Sequence, residues 1–126
     1  MIGLGVDIIE IERIEMAIKK NEHFLTRLFT ENELDYIKSK GSKTETVAGL
    51  FAAKEAVSKV LGSGLLKFTW QDIEIDHTKL GQPIVILHKG AKDRALSIGV
   101  NQVLLSISHC KTYAIANAMG QYVEGL

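Results

Sequence analysis

The sequence has one cysteine, no net charge and no long hydrophobic run, and each shortage excludes something. A lone Cys110 rules out an internal disulfide framework and fits a reducing compartment. The 15 Lys and Arg residues balance 15 Asp and Glu. Such a chain lacks the basic excess that nucleic-acid binding wants, and little net repulsion opposes its self-association at neutral pH. The longest uncharged run, Ala95 to Cys110, contains Ser, Asn and Gln. It also falls short of the ~20 apolar residues that a spanning helix needs. The opening "MIGLGVD" meets an acid at Asp7 and has no basic n-region, so it does not read as a signal peptide. Residue 2 is Ile, which breaks the myristoylation pattern. His23, His77 and His88 show no zinc-ligand spacing, and "LGSG" lacks the rest of a P-loop. The expectation is a soluble cytoplasmic protein, with neither nucleic acid nor membrane as partner.

What is present is ordinary globular material. Hydrophobic residues make up 46% of 126, enough for one domain with a core. No repeat, linker or low-complexity segment divides it, so residues 1–126 read as a single domain. "IGLGVDIIEI" (2–11) is β-branched with little polar alternation, which predicts a strand buried on both faces. A helix over 12–20 follows, with Ile14 and Ile18 at helical spacing. "TENE" (30–33) is a capping-box pattern and predicts a helix through Leu34 and Ile37. "SKTE" (42–45) repeats it and opens a long helix that Gly62 and Gly64 should stop. Beyond lie a strand at 71–76, a turn at 79–83, a strand at 83–88 and a short helix over 91–99. Two strands, "QVLLSISH" and "TYAIANAM", close the chain around a tight turn near Cys110 and Lys111. The order predicts an α+β fold, with an antiparallel sheet packed on a long helix and shorter N-terminal helices.

Two charged positions fit poorly with their surroundings. The long helix is apolar nearly all round, yet it carries Lys54, Glu55 and Lys59. Glu55 lies beside Ala48, Phe51 and Ala52, with Lys59 one turn on. A buried carboxylate needs a partner or a metal. The plain alternative is an i,i+4 Glu55–Lys59 pair worth about 0.2–0.5 kcal/mol. Asp7 interrupts an apolar strand, on the face of Gly3, Gly5, Ile9 and Ile11, where the glycines leave room for an approaching group. Two carboxylates, completed by waters and phosphate oxygens, suit Mg²⁺. Lys59 could then neutralise phosphate charge, while Lys54 points elsewhere and either does the same or snorkels. His109 ends a strand on the face of Val103, Leu105 and Ile107, where a hydrogen-bonded rim histidine is the plain reading. Cys110 points to the opposite face and makes no dyad with it.

"GLGVDIIEIERI", "AGLFAAKEAVSKVLGSG", "FTWQDIEI", the "GQP" turn and "SISH" occur in that order over nearly the whole chain. Together they resemble the 4′-phosphopantetheinyl transferases of the short bacterial holo-[acyl-carrier-protein] synthase type. The first two motifs are specific, whereas "GQP" and "SISH" alone are weak. The resemblance implies transfer of 4′-phosphopantetheine from coenzyme A to a serine of acyl carrier protein, serving fatty acid biosynthesis and releasing adenosine 3′,5′-bisphosphate. It implies Mg²⁺ as cofactor, Asp7 and Glu55 as catalytic metal ligands, and Lys59 as a catalytic lysine. Lys59, His109, Gly62 and Pro83 are then the expected coenzyme contacts. Such enzymes look like homotrimers with sites between neighbouring subunits.

The acidic carrier should meet basic residues of the helix after the first motif and its neighbours: Arg13, Lys20 and Arg27, with Glu15 and Glu22 interspersed. The proton of the serine has three candidate acceptors, namely a metal-bound water, a site carboxylate and His109. A Mg²⁺-dependent nucleotide pyrophosphate hydrolase would share Asp7 and Glu55 without carrier docking. A non-catalytic α+β assembly module would need neither acid.

Overall fold

The computed structural model describes residues 3–62 and 68–126. Ile2 at the start of the expected first strand, and Gly64, the second expected stop, lie outside the described residues. The element order is β1 (Gly3–Glu10), α1 (Ile11–Lys20), α2 (Phe24–Leu28), α3 (Glu31–Ser39), α4 (Thr44–Leu61), a 3-10 turn (Trp70–Asp72), β2 (Ile73–His77), β3 (Pro83–Leu87), α5 (Lys89–Ser97), β4 (Gln102–His109) and β5 (Tyr113–Gln121). One antiparallel sheet has the order β1–β5–β4, and β2–β3 forms a second, two-stranded one. The α+β architecture is the one that the sequence predicts. No helix among the described residues is long and apolar enough to cross a membrane.

The long helix α4 lies across the inner face of the larger sheet, and small residues allow it to come close. Ala114, Ala116 and Ala118 of β5 face Ala52, Ala53 and Ala56 of α4, all buried. Gly5 is the tightest point, because a Cβ there would stand 2.0 Å from the carbonyl oxygen of Ala56. The β1 glycines therefore admit the backbone of α4. They do not leave open space for a ligand, as the sequence suggests. Leu50, Val57 and Leu61 complete the buried side of the helix, each contributing about 1.5–3 kcal/mol.

The outer face of the sheet corrects the expectation for β1. Its burial alternates, and Leu4, Val6 and Ile8 are 75%, 50% and 60% exposed. Leu4 is paired with Met119, which is paired with Leu104, so the apolar stripe crosses all three strands. The strand is apolar on both faces but buried on one in the single chain.

The capping box at Thr30 forms as predicted: Thr30 Oγ1 accepts from the Glu33 amide, and Glu33 accepts from the Thr30 amide. The second box does not. Ser42 takes a left-handed φ of 55° and donates its amide to Ile37 O, so it closes α3. Lys43 holds the N-cap position of α4 without a side-chain cap. Gly62 stops α4 in the left-handed region at φ 78°. Helix α2 was not legible, and β2 begins at Ile73 because Thr69 and Asp72 form a capped turn before it.

Candidate active site

Asp7 faces inward from β1, beneath the last turns of α4, so the strand and helix bring Asp7, Glu55 and Lys59 together. The Lys59 ammonium donates to Val6 O at 2.8 Å and lies 3.4 Å from Asp7 Oδ1. The ion pair formed is thus Lys59–Asp7, across two elements, and not the local Glu55–Lys59 pair. Lys59 remains about half exposed. Asp7 Oδ2 is buried and has no hydrogen-bond partner among the described residues. Burial, then the like charge of Asp7, pushes the Glu55 carboxyl above its ordinary value, and Lys59 offsets this in part.

These features test the fit of a cation. A buried oxygen without a donor, beside a second carboxylate penalised by burial and by its neighbour, is relieved by a hard divalent ion. Among the described residues no group of three or more His, Cys, Asp or Glu is placed to hold a metal. A cation here therefore draws the rest of its shell from water or substrate oxygens, which suits a hard, oxygen-seeking ion and not zinc.

Lys54 has a different task from the one the sequence suggests. It neither snorkels nor reaches the acid cluster, and both it and Glu33 are 0% exposed. Its ammonium donates to Glu33 Oε1 at 2.8 Å, Trp70 O at 2.9 Å and Ile73 O at 2.6 Å, which uses all three N–H groups. Glu33 Oε2 accepts from the Ile75 amide at 2.8 Å. Burial lowers the Lys54 pKa, and Glu33 counters that in part. The network ties α4 to α3 and β2. The capping box marked Glu33 as a local cap, and nothing in the sequence signalled its distant partner.

The other expected coenzyme contacts separate into two places. Gly62 ends α4, close to Lys59. His109 ends β4, on the inner face like Ile107, with β5 between it and β1. That puts Asp7 and His109 on opposite edge strands, with His109 in register with Ile9 through Ala114 and Asp7 with Ile107 through Ala116. His109 and Pro83 line a cavity of about 200 Å³ with Tyr36, Gly49, His77 and Ile107. His109 is exposed and makes no side-chain hydrogen bond among the described residues, so the plain reading of a bonded rim histidine fails. Sequence reasoning missed the wall of this cavity, where Tyr36 and His77 stack with centroids 3.7 Å apart and planes within 3°. Burial holds His77 below the ordinary histidine range.

The three basic residues expected at a protein interface are all exposed. Arg13 is 3.4 Å from Glu10, while Lys20 and Arg27 make no ion pair among the described residues. Lys19 engages Glu15, so the acids of α1 consume part of its charge.

The model of the 4′-phosphopantetheinyl transferase superfamily matches residues 3–118. A holo-[acyl-carrier-protein] synthase of Clostridium perfringens is 52% identical over 128 residues, covering 97% of this chain and 96% of that one. A holo-(acyl-carrier-protein) synthase from Bacillus anthracis, solved in complex with CoA (3′,5′-ADP), superposes with a TM-score of 0.77 at 40% identity over 96% of each chain. The Helicobacter pylori holo-[acyl-carrier-protein] synthase in complex with coenzyme A gives 0.83 at 32% identity, over 94% of this chain and 99% of that one.

Proposed function

This chain belongs to the 4′-phosphopantetheinyl transferase superfamily, and on that premise we propose that it moves 4′-phosphopantetheine from coenzyme A to a serine of acyl carrier protein. The observation that carries the reading is the meeting of Asp7, Glu55 and Lys59 at the β1–α4 contact. In the reaction the serine oxygen bonds to the phosphorus that bears the pantetheine arm. The bond from that phosphorus to the bridging pyrophosphate oxygen breaks, and adenosine 3′,5′-bisphosphate leaves. Such transfers depend on positioning and charge stabilisation more than on covalent help.

Asp7 and Glu55 would hold Mg²⁺, with Asp7 Oδ2 satisfied by it. The ion supplies Lewis-acid stabilisation of pyrophosphate charge when bound. Lys59, half exposed beside Asp7, presents its ammonium to the phosphates and stabilises the charge that develops on the leaving bisphosphate. Gly62 belongs to the same end of the helix. His109 and Pro83 would serve the coenzyme from the opposite sheet edge, and, as the resemblance implies, neighbouring copies would share the complete site. A homotrimer fits this, and the bare stripe of Leu4, Val6, Ile8 and Leu104 supplies apolar surface for it to bury. Arg13, Lys20 and Arg27 are the proposed docking residues for the acidic carrier. A cytoplasmic location and a role in fatty acid biosynthesis go with this reading.

The test is product formation with and without acceptor. Adenosine 3′,5′-bisphosphate should appear from coenzyme A only when apo carrier protein is present. Equal release without the carrier would make the chain a pyrophosphate hydrolase.

A further inference from the structure

Tyr36 on α3 and His77 at the end of β2 lie face to face, with ring centroids 3.7 Å apart. His77 is also the register partner of Pro83, the first residue of β3. The turn between them is tight: the Thr78 amide donates to Gln82 O at 2.9 Å, and the Gly81 amide donates to Thr78 O at 2.9 Å. Among the described residues no hydrogen bond ties residues 78–83 to anything outside the hairpin. The stack therefore fastens this end of the hairpin, and Pro83 with it, to α3.

The fastening depends on the charge of His77. Its Nδ1 is buried and has no hydrogen-bond partner among the described residues. A neutral ring leaves only a bare acceptor there, whereas a charged ring buries an N–H donor with nothing to receive it. The attraction of a cation to the Tyr36 face is the smaller effect. The titratable and charged groups around the ring are Tyr36 and Lys40 on α3, Asp76 on β2, Glu45 on α4 and His109 on β4. Burial opposes the charged form most, Asp76 offsets part of this, and Lys40 adds to it. Asp76 Oδ1 accepts from the His77 amide and not from its ring. The stack is thus intact at neutral pH and is lost as pH falls below the ordinary histidine range, where a charged ring turns off Tyr36 toward water. We propose that Tyr36 and His77 are positioning residues, which hold Pro83 in place for coenzyme A only while His77 is neutral. This rests on the reading of the chain as a phosphopantetheinyl transferase with Pro83 among its coenzyme contacts.

The test is KM for coenzyme A at saturating apo carrier protein, followed from about pH 7.5 down to about pH 5. In wild type KM should rise on the order of tenfold across that range, with kcat moving less. Other groups titrate there too, so the comparison with His77→Phe decides. Its flat ring cannot be charged, and its KM should rise far less in acid. Tyr36→Phe keeps the stack and should keep the wild-type response. Tyr36→Leu removes the stack and should raise KM already at about pH 7.5, with little further rise in acid. A His77→Phe profile that follows wild type, or a Tyr36→Leu KM equal to wild type at neutral pH, overturns the proposal. Should a variant fail to fold, NMR titration of the wild-type chain decides: the His77 ring should titrate below the ordinary histidine range, and the Tyr36 ring signals should shift with it. A His77 that titrates while Tyr36 stays unmoved overturns the proposal as well. Wild type that transfers nothing to the carrier would instead overturn the underlying reading of the site, and the NMR titration would still test the stack.

Discussion

Lys54 and Lys59 share one helix and end in opposite environments. Lys59 stays half exposed beside Asp7, whereas Lys54 is sealed inside with Glu33. Their replacements should therefore fail differently. Lys59→Ala should lower kcat on the order of 10²-fold while leaving stability nearly unchanged, as for loss of one preorganised electrostatic donor. Lys59→Arg should recover only part, and steady-state kinetics with both substrates varied reads the difference. Lys54→Met leaves the Glu33 carboxylate buried without its cation and should cost about 3–5 kcal/mol in urea unfolding. A Lys54→Met chain as stable as wild type would show that the buried pair contributes nothing. Asp7, Glu55 and Lys59 were legible because each breaks an apolar pattern. Lys54 broke the same pattern, but its partner lies in α3 and only the tertiary fold shows it. The Tyr36–His77 stack breaks no pattern at all, so nothing local marked it.

At the scale of elements, the contact between β1 and α4 governs the site, and Gly5 governs that contact. A Cβ at Gly5 would meet a backbone oxygen, which cannot turn aside as a flexible side chain can. Gly5→Ala should therefore lever α4 from β1, costing about 1–3 kcal/mol. It should also reduce transfer by more than the lost stability explains, because Asp7 and Lys59 sit on the two displaced elements. Thermal unfolding and kcat at a temperature where both proteins are folded check this pair of outcomes. The strands and the helices α1, α3, α4 and α5 followed from periodicity and caps, with boundaries shifted by a few residues. The exceptions have local causes. Ser42 spends its amide on α3, so the "SKTE" pattern does not cap α4. Helix α2 is only Phe24–Leu28, too short for a helical period to declare itself.

At the scale of the molecule, the outer sheet face explains why β1 read as buried on both sides. The sequence records apolar residues, and it does not record whether the same chain or another copy covers them. A chain without net charge, with Leu4, Val6 and Ile8 bare, has good reason to associate. Val6→Asp places a charge in the middle of that stripe. By sedimentation it should shift the proposed homotrimer to monomer, and if neighbouring copies share the site it should reduce transfer sharply. Full activity in a monomeric Val6→Asp chain would mean that one copy carries the whole site.

Group transfer to the carrier is read directly from the intact mass of the carrier. Apo acyl carrier protein incubated with this chain, coenzyme A and Mg²⁺ should gain about 340 Da, the mass of a phosphopantetheine group, and gain nothing when excess chelator is present or when Glu55→Ala replaces the wild type. A carrier whose mass does not change with the intact enzyme, while coenzyme A is consumed or untouched, would mean that this chain is not a phosphopantetheinyl transferase.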